Sequence, residues 1–378
     1  MAPDLLFVRR PLLGTSPVVE RSTRRMGVEE ELLLVDPDDG TPLGLAPAVL
    51  PAAADLDGEM RAEQVETGSI PHDDPGALAA DLRRRRADAA RAARISGAAV
   101  AALATSPVAP GPATSVEGRY GRILERFGRI ASAQLTNGQH VHVEIASREE
   151  GVGVLDRIGS WLPVLRALSA NSPFWQGEDT GYASYRSLVW ARMPSAGPSR
   201  VFGSVAAYDE AVAAMVATDT IVDDGMVYFD ARLAAHFPTV EVRVTDVSLT
   251  VDDAVTVALL ARALVATAAA AWAAGAPPDT APVEALRLAH WRAARAGCVA
   301  SDGETGVLVH PVTGRPVPAP EAVAALLDHV DDALGDDREA VKAGVARVLD
   351  GATGAAVQRA AFASGGLTAV VRAALVDP

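Results

Sequence analysis

Three short segments of the chain alternate between apolar and polar residues at every second position. They are GVEEELLLV at 27–35, GQHVHVEIAS at 138–147 and PTVEVRVTD at 238–246. Side chains two residues apart in a strand point to the same side of a sheet, so this period predicts three strands, each with one apolar and one polar face. Glu30 breaks the alternation, because it falls on the apolar face. The predicted polar faces carry Glu29 and Glu31, then His140, His142 and Glu144, then Thr239, Glu241, Arg243 and Thr245.

Most of the remaining chain has the composition of helices. The predicted helices cover 76–104, 117–132, 152–170 and 205–222, and helices dominate after 246. The second alternating strand is predicted to extend over 134–146, and a further strand is predicted near 226–232. An irregular stretch at 169–200 is too long for a routine connection, which favours a substrate-facing loop. Strands with one polar face in a helix-rich chain predict a mixed α+β enzyme.

Two helical segments have a second interpretation. LRRRRADAARAAR at 82–94 is typical of a phosphate-binding ridge or of a solvated helix face, and the interleaved alanines with Asp88 favour the solvated face. The apolar segment 254–275 is long enough to be a membrane span, but Arg262 lies near its middle. We therefore expect a packed helix and no membrane association.

Composition narrows the classes of function. The formal net charge is -14 over 378 residues, which disfavours a nucleic-acid partner. The single cysteine, Cys298, cannot form an intrachain disulfide, and the first residues lack the shape of a signal peptide, so we expect a cytoplasmic protein. We expect residues 1–22 to be a flexible extension and residues 23–378 to form a single catalytic domain.

Three strands whose polar faces are rich in glutamate and histidine favour a binding site over an ordinary solvent-exposed sheet surface. If these faces line one cavity, the like charges would repel unless cations lie between them. Carboxylates with one or two imidazoles and no thiolate suit Mg²⁺ or Mn²⁺ better than structural zinc. EMRAEQVE adds Glu59, Glu63 and Glu66, which would share one side of a helix.

Five motifs resemble, in order and rough spacing, those of the glutamate-cysteine ligase type 2 family, the bacterial ATP-dependent carboxylate-amine ligases. They are GVEEEL, EMRAEQVE, GQHVHV, SPFWQGEDTGYAS and HFPTVEVRVTD, and the resemblance runs from about Met26 to Leu367. It implies a glutamine synthetase-like catalytic fold, in which a curved antiparallel sheet forms a funnel with helices packed outside. It also implies that metal-bound ATP phosphorylates a carboxylate and that an amine attacks the acyl phosphate.

The resemblance also implies roles for individual residues. Arg243 and Glu241 would be catalytic, with Arg243 steadying the transferring phosphate. Arg232, Arg186 and Arg295 would contact phosphate or carboxylate groups together with Arg243. The implied metal ligands are Glu29, Glu31, Glu59, Glu66, His140 and Glu241.

Some residues depart from the family pattern or have ordinary explanations. Glu144 stands where relatives often have a small residue, and an outward strand end is favoured over an extra acid in the funnel. Ala289 replaces a usual asparagine, which leaves open the contact made there. His142 is expected to support the site by hydrogen bonding, and Cys298 to be a partly buried, unreactive residue.

The sequence thus predicts an ATP-dependent carboxylate-amine ligase that uses Mg²⁺ or Mn²⁺. Glutamate and cysteine are the leading substrates, giving gamma-glutamylcysteine, ADP and phosphate. Three alternatives stay open: another amine acceptor, a carboxylate-rich metallohydrolase that does not use ATP, and a non-catalytic binding protein. A homo-oligomer is also considered, because open sheets often need neighbours to cover their edges.

Overall fold

A computed structural model describes residues 23–111 and 118–378. Its strands are β1 (Met26–Val35), β2 (Leu56–Gly58), β3 (Gln64–Gly68), β4 (Ala99–Ala101), β5 (Gly138–Glu144), β6 (Phe174–Trp175), β7 (Glu178–Asp179), β8 (Ala231–Leu233), β9 (Thr239–Asp246), β10 (Val307–Val309) and β11 (Pro316–Pro318). The predicted extension at 1–22 lies outside the described residues, and the single domain over 23–378 stays a prediction.

Helices make up most of the rest of the described chain. They are α1 (Ala46–Val49), α2 (Pro75–Ile95), α3 (Gly118–Phe127), α4 (Arg129–Ser132), α5 (Arg148–Ile158), α6 (Leu162–Leu168), α7 (Tyr185–Trp190), α8 (Val205–Ala217), α9 (Val251–Ala273), α10 (Val283–Ala296), α11 (Ala319–Leu334), α12 (Arg338–Arg347) and α13 (Gly354–Ala373). Short 3₁₀ turns lie at Leu50–Ala52, Asp224–Met226 and Gly335–Asp337, and a π turn lies at Val348–Ala352.

The main sheet has seven strands in the order β2-β3-β1-β5-β9-β8, with β4 also paired to β1. Every described pairing in it is antiparallel. One edge of β1 pairs with β3, whereas its other edge pairs with β5 near the start of β1 and with β4 near its end. The three alternating segments therefore become the adjacent strands β1, β5 and β9, as a shared polar face requires.

The apolar face of this sheet packs on helices. Val141, Val143, Val240 and Val242 are buried in one cluster with residues of α5, α6 and α9. Burying a side chain of this size stabilises the fold by about 1.5–3 kcal/mol, so this layer fixes which way the strands face. Helix α9 is long and apolar enough to cross a membrane by length and composition alone, but it is mostly buried in this core, as predicted.

Several predicted boundaries were wrong for local reasons. The helix predicted over 76–104 begins at Pro75, where Asp74 caps it, but ends at Ile95, and the following apolar residues form β4. The helix predicted over 117–132 is broken at Gly128, which has a φ of 53°. The helix predicted over 152–170 is two helices, and Pro163 lies in the first turn of the second. The stretch 169–200 contains β6, β7 and α7, and the strand expected near 226–232 is only β8.

The arginine run on α2 is the expected solvated face only in part, because two of its arginines are buried. Arg85 and Arg86 are buried, whereas Arg83 and Arg84 are about half exposed. Arg86 pairs with Glu30, which is fully buried, through contacts of 2.6 and 2.8 Å. Glu30 thus points to the helix side of the sheet because a buried guanidinium on α2 compensates its charge.

Candidate functional site

The strand register places polar side chains of β1, β3, β5 and β9 on one face of the sheet. Glu29 stands opposite His140, and Glu31 stands opposite Glu66. On the next pair of strands, His142 stands opposite Glu241. Directly opposite residues share a face and lie about 4.5–5.5 Å apart at Cβ, so the register alone assembles an acidic cluster.

Glu29, His142 and Glu241 form a first potential metal site, which we call the histidine trio. Each offers one ligand atom, and these atoms lie within 4.8 Å of one another. Nε2 of His142 lies 3.3 Å from Glu29, while its Nδ1 lies 3.0 Å from the Thr239 hydroxyl. A histidine whose second nitrogen is held by a neighbour is the usual arrangement for a metal ligand. The geometry therefore favours His142 as a potential metal ligand, whereas the sequence predicted only a supporting role for it.

Glu31, Glu59 and Glu66 form a second group, the carboxylate trio, with ligand atoms also within 4.8 Å of one another. The helix that we considered for this segment is wrong, because Glu59 follows β2 and Glu66 lies on β3. Glu63 is excluded from the trio, because it forms a buried ion pair with Arg61 at 2.6 Å. The structure thus brings together the acids that the family resemblance implied.

His140 lies between the two trios. Its Nδ1 is 3.6 Å from Glu29 and 4.0 Å from Glu241, and its Nε2 is 3.8 Å from Glu31. Burial, followed by the charge of Arg243, lowers the pKa of His140 to about 4, so the ring is neutral and able to donate a lone pair. Its assignment as a metal ligand stays a prediction.

The carboxylate trio carries more like charge than its surroundings compensate. Burial, followed by the charge of Glu59, raises the pKa of Glu31 to about 7. Burial and the neighbouring Glu29 and Glu59 also raise the pKa of Glu66 well above its ordinary value. Crowded carboxylates hold protons in this way when no cation lies between them, so a divalent ion would displace these protons.

The acids of the histidine trio are ionised instead. Burial opposes ionisation of Glu29, but the charge of His142 and hydrogen bonds from both histidines hold its pKa below the ordinary value. Burial likewise opposes ionisation of Glu241, but Arg243 and Arg232 hold the pKa of that carboxyl well below its usual range. The two trios therefore differ in charge before any ligand binds.

Two of the four predicted arginines lie at the cluster. The Arg243 guanidinium contacts Glu241 directly. Arg232 donates to Glu241 at 2.6 Å, and also to the backbone carbonyls of Gly225 and Val227 at 3.1 Å each. Arg232 therefore ties the carboxylate to the loop before β8, and its three partners use most of its donors.

The other two predicted arginines lie outside the cavities described below. Arg186 is buried against Gly138, next to Nε2 of His140. Burial lowers the pKa of Arg186, and the charges of Glu31 and Asp246 oppose this effect. Arg295 donates to the carbonyl of Gly181 and lies 5.4 Å above the ring of Tyr182. Contact between Arg295 and a nucleotide has no support from this geometry.

The residues that departed from the family pattern also lie outside the cavities. Glu144 pairs with Arg25 at 3.0 Å and its side chain is 41% exposed, so it is an outward strand end, as favoured. Ala289 is buried on α10, and Cys298 is also buried, more completely than predicted.

The cluster opens into two adjoining cavities. The first, which we call the acidic chamber, has a volume of about 420 Å³ and is lined by the carboxylate trio, Arg243 and the aromatic residues Tyr120, Trp190 and Tyr228. The second, the apolar chamber, has about 1290 Å³ and is lined by the histidine trio and by apolar residues that include Val212, Val216, Leu233 and Phe237. The residues that line both are Glu29, Asp223, Asp224, Gly225, Arg232 and His236.

Sequence reasoning missed several residues of the acidic chamber, above all Arg119 and Asp223. These two form an ion pair across 104 positions of sequence, and neither falls in an alternating strand segment. No local pattern points to them, because the register of distant elements brings them together. Trp190 lies in the irregular stretch that we expected to face substrate, so that signal existed but did not single it out.

Comparison with known sequences gives a match over nearly the whole chain. The family described as "Glutamate-cysteine ligase family 2 (GCS2)" matches residues 25–373. A protein of Streptomyces avermitilis named "Putative glutamate--cysteine ligase 2-1" is 52% identical over 345 residues, which are 89% of this chain and 94% of that protein. "Putative glutamate--cysteine ligase 2" of Streptomyces coelicolor is 50% identical over 361 residues, which are 93% of this chain and 98% of that protein.

Solved structures share the fold at low sequence identity. A glutamate-cysteine ligase from Francisella tularensis, solved in complex with AMP, has a TM-score of 0.72 at 14% identity, covering 93% of this chain and 87% of that one. A bifunctional glutathione synthetase from Pasteurella multocida has a TM-score of 0.67 at 17% identity, covering 93% of this chain and 52% of that one. These likenesses confirm the predicted α+β ligase fold.

Proposed function

We propose, since this chain belongs to glutamate-cysteine ligase family 2 and is an ATP-dependent ligase, that it joins glutamate to an amine, with cysteine as the leading acceptor. In this reaction the γ-carboxylate of glutamate attacks the γ-phosphorus of ATP, and ADP leaves. The acceptor amine then attacks the acyl carbon, a proton leaves the nitrogen, and phosphate departs. The products are gamma-glutamylcysteine, ADP and phosphate.

The observation that carries this proposal is the pair of trios on one sheet face, anchored by Glu29 and Glu31 of the same strand. Their donors are carboxylate oxygens and one imidazole nitrogen, which fits Mg²⁺ or Mn²⁺. The raised pKa values of Glu31 and Glu66 are a further sign that the carboxylate trio suits a cation. A bound divalent ion would neutralise phosphate oxygens and orient them for in-line transfer.

The contrast between the two chambers suggests where each substrate binds. An adenine ring needs apolar contacts, and the apolar chamber offers both these and the space for a nucleotide. The acidic chamber is smaller and mostly polar, which suits amino acids. We therefore assign ATP to the apolar chamber, with its phosphates at the histidine trio, and the amino acid donor to the acidic chamber.

The arginines then take separate roles in the proposal. Arg243 lines the acidic chamber beside Glu241, where its planar fork suits a phosphate or carboxylate of the reacting groups. Arg232 lines both chambers, and its bonds to Glu241 and to the Gly225 carbonyl would hold the loop between them in place. Buried Arg186 would keep His140 and Glu31 in position from behind. We also keep as proposals a cytoplasmic location and assembly into a homo-oligomer.

The test is ADP release by purified protein with ATP, Mg²⁺ and glutamate, with and without cysteine, and mass detection of the amide. Glu29→Gln and Glu241→Gln should each lower turnover by more than about 100-fold, because each removes a proposed metal ligand. Glu144→Gln is the matched control, since Glu144 lies on the same strand as His140 but pairs with Arg25 outside both chambers.

The outcomes separate the alternatives. ADP release that depends on glutamate but gives no amide with cysteine would keep the ligase and require a screen of other amines. Metal-dependent hydrolysis without any nucleotide requirement would favour the metallohydrolase. Absence of glutamate-dependent ADP release with every amine would refute the proposal.

A further inference from the structure

A partly exposed ion pair lines the acidic chamber apart from both trios. Arg119 of α3 donates from Nε and Nη2 to the two carboxylate oxygens of Asp223, at 2.7 Å each. The two side chains are 34% and 35% exposed, and both line the acidic chamber. A planar two-bond pair of this kind presents a fixed positive edge beside a fixed negative one.

Both members of the pair have hydrogen-bonding groups that their mutual contacts do not use. Among the described residues, no hydrogen-bond partner is recorded for Nη1 of Arg119, which can donate to an incoming carboxylate. The Asp223 carboxylate has about four lone-pair sites, so it can accept bonds from an ammonium group in addition to those from Arg119. Asp223 also ionises readily, because the hydrogen bonds from Arg119 lower its pKa against the opposing effect of burial.

Apart from Asp224, the other charged residues of this chamber are already committed, and Glu29 belongs to the histidine trio. Glu31, Glu59 and Glu66 form the carboxylate trio, and Arg243 and Arg232 both bond to Glu241. Helix α3 also approaches the carboxylate trio. Its residue Tyr120 feels the charge of Glu59 as the largest cause of its raised pKa, with burial next and Glu66 after that.

We propose that Arg119 and Asp223 together recognise the α-carboxylate and α-ammonium groups of the donor and thereby determine which donors the enzyme selects. An α-amino acid carries opposite charges one carbon apart, which match a guanidinium and a carboxylate held side by side. With that end fixed, the distal carboxylate of an acid the size of glutamate extends towards the trios. This inference rests on the proposed function and adds to it the residues that select the donor.

Two donor analogues separate the two halves of the recognition. Glutarate lacks the α-ammonium, and 4-aminobutanoate lacks the α-carboxylate, while both keep a distal carboxylate. Asp223→Asn should lower the preference for glutamate over glutarate by about tenfold to 100-fold, and Arg119→Gln should do the same for glutamate over 4-aminobutanoate, as expected for one lost bond to a charged group. The readout is kcat/KM from ADP release, with the effect mainly in KM.

The chain offers a matched control on the same two elements. Arg126 of α3 pairs with Asp219 at 3.2 Å, so this pair also joins α3 to the segment before β8, but it lines neither chamber. Arg126→Gln and Asp219→Asn should leave both donor preferences unchanged. Asp219 has a φ of 51°, which asparagine tolerates well.

The results are decisive in either direction. The inference is supported if each variant loses one preference only. Asp223→Asn would then lose the preference for glutamate over glutarate, and Arg119→Gln the preference for glutamate over 4-aminobutanoate. Equal losses for all three donors would mean that the pair merely holds α3 in place, and unchanged preferences would also overturn the inference. If wild-type protein releases no ADP with any donor, the proposed function fails instead. Calorimetric binding of glutamate and glutarate to wild type and Asp223→Asn then decides: the inference stands only if wild type prefers glutamate and the variant does not.

Discussion

Gly138 leaves no room for a Cβ beside two side chains of the site. It begins β5, and its backbone N–H donates to Glu31 at 2.5 Å. A Cβ at this position would lie 2.1 Å from Nη2 of Arg186, 2.8 Å from its Cζ and 3.0 Å from Nε2 of His140. Gly138→Ala must therefore displace a buried guanidinium, a site histidine, or both.

The size of the displacement follows from these distances. Ordinary contact with a Cβ begins at 3.4 Å, so the Arg186 nitrogen must move by about 1.3 Å, the difference between 3.4 and 2.1. A misplacement of about 1 Å near reacting groups can cost about 100-fold in rate, whereas overpacking of a core costs about 1–3 kcal/mol in stability. We expect the variant to fold and to lose about 100-fold in turnover.

The assay is glutamate-dependent ADP release, with thermal unfolding and circular dichroism of the same samples. Gly159→Ala is the control, because its Cβ would lie 3.4 Å from Leu286, an ordinary contact, and it lines neither chamber. Full activity in Gly138→Ala would refute the reasoning. Loss of circular dichroism in parallel with activity would also refute it, since the fold and not the position of Arg186 would then have failed.

Three further predictions concern the core. Arg86→Met should lower the free energy of unfolding in urea by about 3–5 kcal/mol, because it leaves Glu30 buried and unpaired, and Glu30→Leu added to it should restore most of the loss; equal stability of the two variants would contradict this. Burial raises the pKa of the Cys298 thiol to about 12, so a thiol reagent should label it only in denaturant, and labelling of the native protein would count against this packing. Burial lowers the pKa of His290 to about 3, against about 6.5 in an unfolded chain. Its contribution to stability is therefore complete above about pH 6.5 and falls by up to about 1.4 kcal/mol per pH unit as the pH drops towards 3. His290→Gln should weaken the pH dependence of the free energy of unfolding, measured in urea between pH 7 and pH 5. An unchanged pH dependence would contradict the assignment.

The alternation of polar and apolar residues was enough to predict the three central strands of the sheet. It placed Glu29, Glu31, His140 and Glu241 on polar strand faces, and antiparallel pairing of β1, β5 and β9 then made these faces one. This works because a one-residue shift of register would bury the whole polar set, so the pattern specifies the face strongly. What alternation cannot give is the partner across the sheet, and hence which histidine joins Glu29 and Glu241.

Features that depend on contacts distant in sequence escaped prediction. The arginines of α2 have the composition of a solvated face, and only the packing of α2 on the sheet shows that Arg86 meets Glu30 across 56 positions. The segment after Ile95 is rich in alanine, a strong helix former, yet it forms β4 because pairing with β1 overrides local propensity. The pair of Arg119 and Asp223 belongs to the same class of long-range contacts.

Three consecutive glutamates on β1 would repel one another on any exposed strand, and each is compensated differently. Glu29 faces the two histidines and stays ionised, Glu30 faces the other way and pairs with Arg86, and Glu31 accepts the Gly138 N–H and titrates near neutrality. Glu29 and Glu31 lie about 6.6 Å apart along the strand, since each residue rises about 3.3 Å. One strand therefore places the two trios side by side. The carboxylate trio lines the acidic chamber, the histidine trio lines the apolar chamber, and Glu29 lines both. On the proposed function, that spacing is what lets a carboxylate from the acidic chamber meet a phosphate from the apolar one, while the Glu30–Arg86 pair holds the strand still behind them.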